Sequence, residues 1–313
     1  MRMTRIVKAG LIAAAAALAL GGPAQADDIT SMVAAANAQL AANGKNYRIA
    51  MAEYVTNLES DQVGRILFFS NRGNRHLGFD FVPADPRRIA AGWGGPGTNI
   101  TFALDDINLT ADIAGTGELS EIRAAMATWE NQTCSTIPLT DRGNTGADVG
   151  LAQAILGFGG TGGIAADITH DGFLGAGFFN AIAPGGGAFI LGVTFTFRWV
   201  DGAGNSTDID NNHTFDAALR EIYYNDAFAW EIDPNDQPGD GLFDIQTVAL
   251  HEAGHGLSQG HFGDLFRTGD PLTGPLHHAP LAVMNAGYRF GQQQLTGTDV
   301  GGHCSNWAAW PNN

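Results

Sequence analysis

Lysine is almost missing from this 313-residue chain: Lys8 and Lys45 are its only two. With 16 basic residues against 32 acidic ones, the formal charge is −16. Such a surface repels nucleic acid and anionic lipid, so neither is expected as a partner. Cysteine is scarce as well. Cys134 and Cys304 are too few for a disulfide framework, although in an exported protein they can form one bridge between distant parts of the chain, or stay as thiols. Long apolar runs are also absent. The stretch Ala9–Leu20 falls well short of the ~20 residues that a membrane-spanning helix needs, and nothing later replaces it. Glutamate stops at Glu252, which removes any zinc site that draws a ligand from a more distant Glu.

Residues 1–26 have the make-up of a secretion signal. Arg2, Arg5 and Lys8 form a basic start, the apolar run follows, and Ala24-Gln25-Ala26 precedes an expected cut before Asp27. Removal takes the formal charge from −16 to −19 and predicts a secreted, extracellular chain with no membrane span. Its oligomeric state is not readable from these letters.

Residues 27–90 read as a small N-terminal α+β region. Ile29–Ala42 has helical spacing and is stopped by Asn43-Gly44; Tyr47–Val55, Gly64–Ser70 and His76–Val82 read as strands. The run Pro83–Arg88 then reads as a linker.

Chemistry is concentrated in Phe243–His261. His251 and His255 are four residues apart, which on a helix puts them on one face, one turn apart. Glu252 follows the first histidine. This His-Glu-x-x-His arrangement lets two neutral imidazoles bind Zn²⁺ while the glutamate takes a proton from water. A catalytic zinc needs a third protein ligand and one open position. The candidates downstream are His261, His277, His278, His303, Asp264, Asp270 and Asp299. His261 is the nearest and best spaced, with Gly256 and Gly260 as turning positions between it and His255.

HEAGHGLSQGH resembles the long zinc-binding motif of the metzincins, HExxHxxGxxH, and most of all that of the matrixin branch. Ser258 stands where the family has glycine, so either Ser258 adopts a left-handed backbone or the turn shifts onto a flanking glycine. The resemblance implies an α/β (α+β) catalytic domain over residues 91–313. That domain has a twisted, mostly parallel sheet, a backing helix at Glu118–Gln132 with Trp129 in its core, and a central zinc-binding helix.

Further implications follow from the same resemblance. Met284, in Ala282–Asn285, corresponds to the Met-turn beneath the metal, and Tyr288 to a helper for the transition-state oxyanion. Glu221–Trp230 corresponds to the strand along the cleft, where a peptide or protein substrate binds extended along a sheet edge. His170, Asp167 and Asp171 fall in a region that holds structural metal ions in matrixins; a plain loop is the alternative. An inhibitory leader is common in the family. No cysteine precedes Cys134, so a blocking group here would be Asp80 or Asp85, and otherwise the leader is an accessory unit.

Two readings come from the residues themselves. Ala188–Val200 is the strongest strand of the chain. In the loop that follows, Asp201, Asp208 and Asp210 offer oxygen ligands suited to Ca²⁺, or make an ordinary polar turn. By the resemblance, Gln294–Val300 corresponds to the start of the family's last helix, which Gly301-Gly302 would cut short. Together these expectations describe a secreted zinc endopeptidase. Zn²⁺ on His251, His255 and His261 lowers the pKa of water from about 15.7 to about 7, and Glu252 acts as general base. The alternatives are a zinc-stabilised extracellular binding module and a zinc amidase or other hydrolase.

Overall fold

The structure is a computed structural model, and it describes residues 29–70, 78–235 and 239–312. The expected secretion signal lies outside the described residues, as do His76 and Leu77 of the third expected strand.

Helix α1 (Ile29–Ala42) buries Ile29, Val33, Ala36 and Leu40, a stripe with helical spacing. Gly44 at φ +67° ends it. Strands β1 (Tyr47–Asn57), β2 (Arg65–Phe68) and β3 (Phe79–Asp80) follow, then the short helix α2 (Pro86–Ala91). The central part runs through β4 (Ile100–Leu104), α3 (Gly117–Glu130), β5 (Leu139–Asn144), α4 (Leu151–Ile155), β6 (Ile168–Leu174) and α5 (Ala176–Ile182). The long strands β7 (Ile190–Trp199) and β8 (Phe215–Asn225) come next, then β9 (Ala229–Glu231) and β10 (Leu242–Asp244). Helix α6 (Ile245–Gly256), the hairpin β11 (Asp264–Arg267) and β12 (Leu276–Ala279), β13 (Gly287–Tyr288) and α7 (Gly297–Trp307) complete the chain.

One nine-stranded sheet carries the mixed α/β fold, with the order β13-β1-β7-β8-β6-β4-β5. Strands β5, β4, β6 and β8 are mutually parallel, while β7 runs antiparallel to β8 and β1 antiparallel to β7. The helices α3 and α6 pack on one face over a core that includes Trp129, Leu250 and Met284. The other face is covered by α1, α4 and α5, over Phe178, Phe195 and Tyr223.

Residues 29–70 and 78–82 share this sheet and both of its cores. β1 lies between β7 on one side and β2 plus β13 on the other, with Tyr54 opposite Val193 and Thr56 opposite Gly287. Strand β3 pairs with β8. One expectation needs correction here. Glu221–Trp230 is not a free edge, because β8 is flanked by β6 and β7. The edge beyond β7 is taken by β1.

The last helix also departs from expectation, because α7 runs through Gly301 and Gly302 to Trp307. Thr296 and Asp299 form a capping box at its start, and Trp307 is fully buried at its end. Cys304 on this helix is bridged to Cys134 just beyond α3, with Cα atoms 5.6 Å apart. These anchors outweigh the ~1 kcal/mol that each helical glycine costs relative to alanine. Among the described residues no helix is long and apolar enough to cross a membrane.

Candidate metal centre

Helix α6 begins where Asp244 accepts hydrogen bonds from the Thr247 backbone N–H at 2.9 Å and from its hydroxyl at 2.5 Å. All twelve of its residues are buried, so the helix is a rigid base for the side chains it carries. Gly254 is required by packing: a Cβ there would meet Met284 Sδ at 2.3 Å and Trp129 Cζ2 at 2.9 Å. Met284 therefore lies directly beneath the helix turn between Glu252 and His255. Asp299 holds that segment in place, accepting from the N–H groups of Val283 and Met284.

The chain leaves α6 through a Schellman-type turn. Gln259 N–H donates to Gly254 O and Ser258 N–H to His255 O. Ser258 adopts φ +63°, so it bears the left-handed conformation itself, at a cost of roughly 1–2 kcal/mol. Its hydroxyl offsets that cost, donating to Phe79 O at 3.0 Å and accepting from Arg220 Nη2 at 2.8 Å.

This turn brings His261 to the other two histidines. His255 Nε2 lies 3.0 Å from His251 Nε2 and 3.2 Å from His261 Nε2. The opposite ring nitrogens of two of them are fixed: His251 Nδ1 is 2.7 Å from Val283 O and His255 Nδ1 is 2.8 Å from Gln259 O. A carbonyl can only accept, so both rings carry their proton on Nδ1 and leave Nε2 bare. Bare nitrogen lone pairs this close repel one another unless a cation lies between them. Tetrahedral Zn–N bonds of 2.0–2.1 Å put ligand nitrogens about 3.3 Å apart, so the cluster fits Zn²⁺ closely.

The electrostatics agree. Burial lowers the His251 pKa to about 4, against the pull of the Val283 carbonyl. Burial and the neighbouring histidines push His255 and His261 well below the usual value of 6.5. Each ring is neutral at physiological pH, as a metal ligand must be.

Glu252 is fully buried under β7. Its Oε2 accepts from the Thr194 hydroxyl at 2.6 Å, while Oε1 has no hydrogen-bond partner. Gly192 makes room for it: a Cβ there would meet Glu252 Oε1 at 3.0 Å. Burial drives its pKa well above the ordinary carboxylate value, and the charge of Glu53 adds to the rise.

A cavity of about 290 Å³ lies against His251, with Val55, Leu58, Val248, Leu281 and Tyr288 among its walls. His278 lines it too, its ring nitrogens buried and without partners. The Tyr288 hydroxyl accepts from Asp244 N–H at 3.0 Å, at the start of α6, while His251 sits about 10 Å further along the helix axis. The other downstream candidates have other roles: His277 contacts Thr268 and Arg289, and His303 packs on the Trp129 ring. Asp270 caps its own turn.

The expected auxiliary metal sites do not form as drawn. Asp201 caps its own turn through the N–H groups of Ala203 and Asn205. Asp208 and Asp210 converge instead with Asp216, which is already paired with Arg87 at 2.7 Å. Asp167 is paired with Arg88 at 2.9 Å, and His170 Nδ1 lies 2.7 Å from the Tyr224 hydroxyl. Asp171 is buried without a partner, and it joins neither of those two residues in a metal cluster. Asp80 and Asp85 stand outside the histidine cluster. Asp80 accepts from Asn212, and Asp85 caps α2 while pairing with Arg87.

Three residues at this centre escaped the sequence reading, Glu53, Thr194 and Arg220, while Asp299 entered it only as a candidate metal ligand and not as the group that holds the Met284 segment. No signal singled out Glu53 or Arg220, since each shares its strand with other charges, Arg48 in β1 and Asp216 and Glu221 in β8. For Asp299 the signal was the Thr-x-x-Asp spacing of a capping box. No family model and no curated protein sequence matches this chain.

Proposed function

We propose that this chain is a zinc-dependent hydrolase of peptide bonds, an exported endopeptidase of metzincin type. The observation that carries the reading is the convergence of three Nε2 atoms, those of His251 and His255 bare, beside a buried glutamate with one oxygen free. His251, His255 and His261 would hold Zn²⁺, leaving one position open. When bound, the ion polarises a scissile carbonyl and makes water a nucleophile near neutral pH.

The remaining chemistry belongs to the chain's own residues. Thr194 fixes one oxygen of Glu252, so the other is the one available to a proton. Glu252 takes the proton of the attacking water and delivers it to the leaving amine, as a base that becomes an acid. Its burial, which favours the protonated carboxyl, suits the second half of that cycle. The cavity beside His251 offers apolar walls to a substrate side chain next to the cleaved bond.

One observation favours a second reading, a zinc-stabilised extracellular binding module. Glu252 is sealed from solvent, and β1 already pairs along β7, where an extended peptide would add. The two readings separate on unfolded casein. The hydrolase cleaves it, stops on chelation and recovers with zinc, and Glu252→Gln lowers turnover ~10²–10⁴-fold while still holding one zinc. A zinc-loaded chain that leaves casein and short peptides intact defeats the hydrolase reading.

A further inference from the structure

Arg220 is a fully buried cation in the middle of a sheet, and every group it binds belongs to or touches the metal-binding turn. Its Nη1 donates to His255 O, and its Nη2 donates to Ser258 Oγ at 2.8 Å and to Phe79 O at 2.9 Å. Phe79 O also accepts from the Ser258 hydroxyl. The guanidinium thus clamps the carbonyl at the end of α6 and the one left-handed residue of the turn. Both are tied to β3, more than 170 residues earlier in the chain.

A second contact comes from the same N-terminal region. Glu53 on β1 is 2% exposed, and its Oε1 lies 3.3 Å from His255 Nδ1, on the side of the ring away from the cluster. The same nitrogen lies 2.8 Å from Gln259 O, within the turn itself. Gly64, just beyond β1, backs onto the third ligand: a Cβ there would come within 3.2 Å of His261 Cε1. Gly64 N–H is in turn fixed to Ala286 O, beyond the Met284 segment.

We infer that β1 and β3 complete the metal centre. Glu53 and the Phe79 carbonyl, acting through Arg220 and Ser258, are positioning groups that set the turn delivering His261. This inference rests on the zinc reading of the three histidines, and it makes the N-terminal region a permanent part of the centre rather than a removable leader. It also accounts for serine at position 258. Glycine would adopt φ +63° without strain, but it has no hydroxyl to tie the turn to Arg220 and Phe79 O.

Groups one step removed from a metal set the direction of its ligands, and their loss typically weakens metal binding 10–100-fold. The test uses the full chain with Ser258→Gly, Arg220→Lys and Glu53→Gln. Zinc affinity is read by competition with a chromophoric chelator, and ligand geometry by the visible absorption of the Co²⁺-substituted protein. Ser258→Gly removes backbone strain, so it folds with an unchanged or higher melting temperature. It is nevertheless expected to bind zinc about 10-fold more weakly and to shift the cobalt bands. Arg220→Lys cannot span both carbonyls and the hydroxyl, and should lose at least as much. Should Ser258→Gly and Glu53→Gln both keep wild-type affinity and spectrum, the inference is overturned while the zinc reading stands. Should the wild-type chain take up no zinc, the failure belongs to the zinc reading itself.

Discussion

The segment 251–261 and the loop 201–216 are both crowded with residues that metals favour, and they differ in what their ligand atoms already have. In the first, the Nδ1–H groups of His251 and His255 go to backbone carbonyls, and their bare Nε2 atoms meet that of His261. In the second, oxygen after oxygen finds a protein donor. Asp208 accepts from the N–H groups of Asn212 and His213, Asp216 from Thr207 and Arg87, and Asp201 from its own turn. A binding site shows itself by ligand atoms held close without donors, more than by residue type.

The sharpest way to break this contrast is to remove one ligand from each region. His261→Ala should lower zinc affinity by on the order of 10²–10³-fold, a third or so of the ~10 kcal/mol that a protein zinc site is worth. Asp208→Ala should leave it unchanged. Competition titration against a chelating dye measures both; equal losses would mean the two regions are not distinct.

Acid and base should pull the two regions in opposite directions. Burial raises the pKa of Asp80 to about 7 from its ordinary 3.8, with the charge of Asp210 adding to the rise. Between those values the folded state holds a proton that the unfolded state lacks, so stability is present at low pH and lost as pH rises toward 7. Asp80→Asn carries no such penalty. After discounting for its partial exposure, the variant should gain about 2 kcal/mol on wild type between pH 4 and pH 8. Urea unfolding at the two pH values reads the difference, and a constant offset would reject it. His251 has the reverse sign: its pKa is lowered to about 4 from 6.5, so metal-free stability falls as pH drops through that window.

The same contrast shows what could be read from letters. Spacing alone placed His251, Glu252 and His255, because helical geometry is local, and α1 follows its apolar stripe to the residue. The third histidine required a turn, and the candidates were separated by chain distance. Long-range contacts were not legible. Nothing in the sequence pairs Glu53 with His255 or Ser258 with Phe79, since strand registry fixes those contacts. That Asp201 stands apart from Asp208 and Asp210 was not legible for a related reason. Three aspartates in a turn-rich loop look like ligands, whereas the backbone N–H groups of that loop compete for the same oxygens and win Asp201 outright.

Calcium gives the smallest effect and the most demanding check on the comparison. A site with a dissociation constant of ~10 µM would stabilise the fold by ~2.7 kcal/mol at ~1 mM calcium. In a chain of this size that raises the melting temperature by roughly 5–10 °C. An ion at Asp208, Asp210 and Asp216 would compete with the Arg87 pair and with the Asn212 and His213 hydrogen bonds for the same carboxylates. Breaking a buried or half-buried ion pair costs several kcal/mol, comparable to what such a site returns. Calcium at ~1 mM is therefore expected to move the melting temperature by less than about 1 °C, in a thermal scan of zinc-loaded protein. A rise of 5 °C or more would show that donor-rich carboxylates can still be recruited, and the contrast between the two regions would then rest on the histidine lone pairs alone.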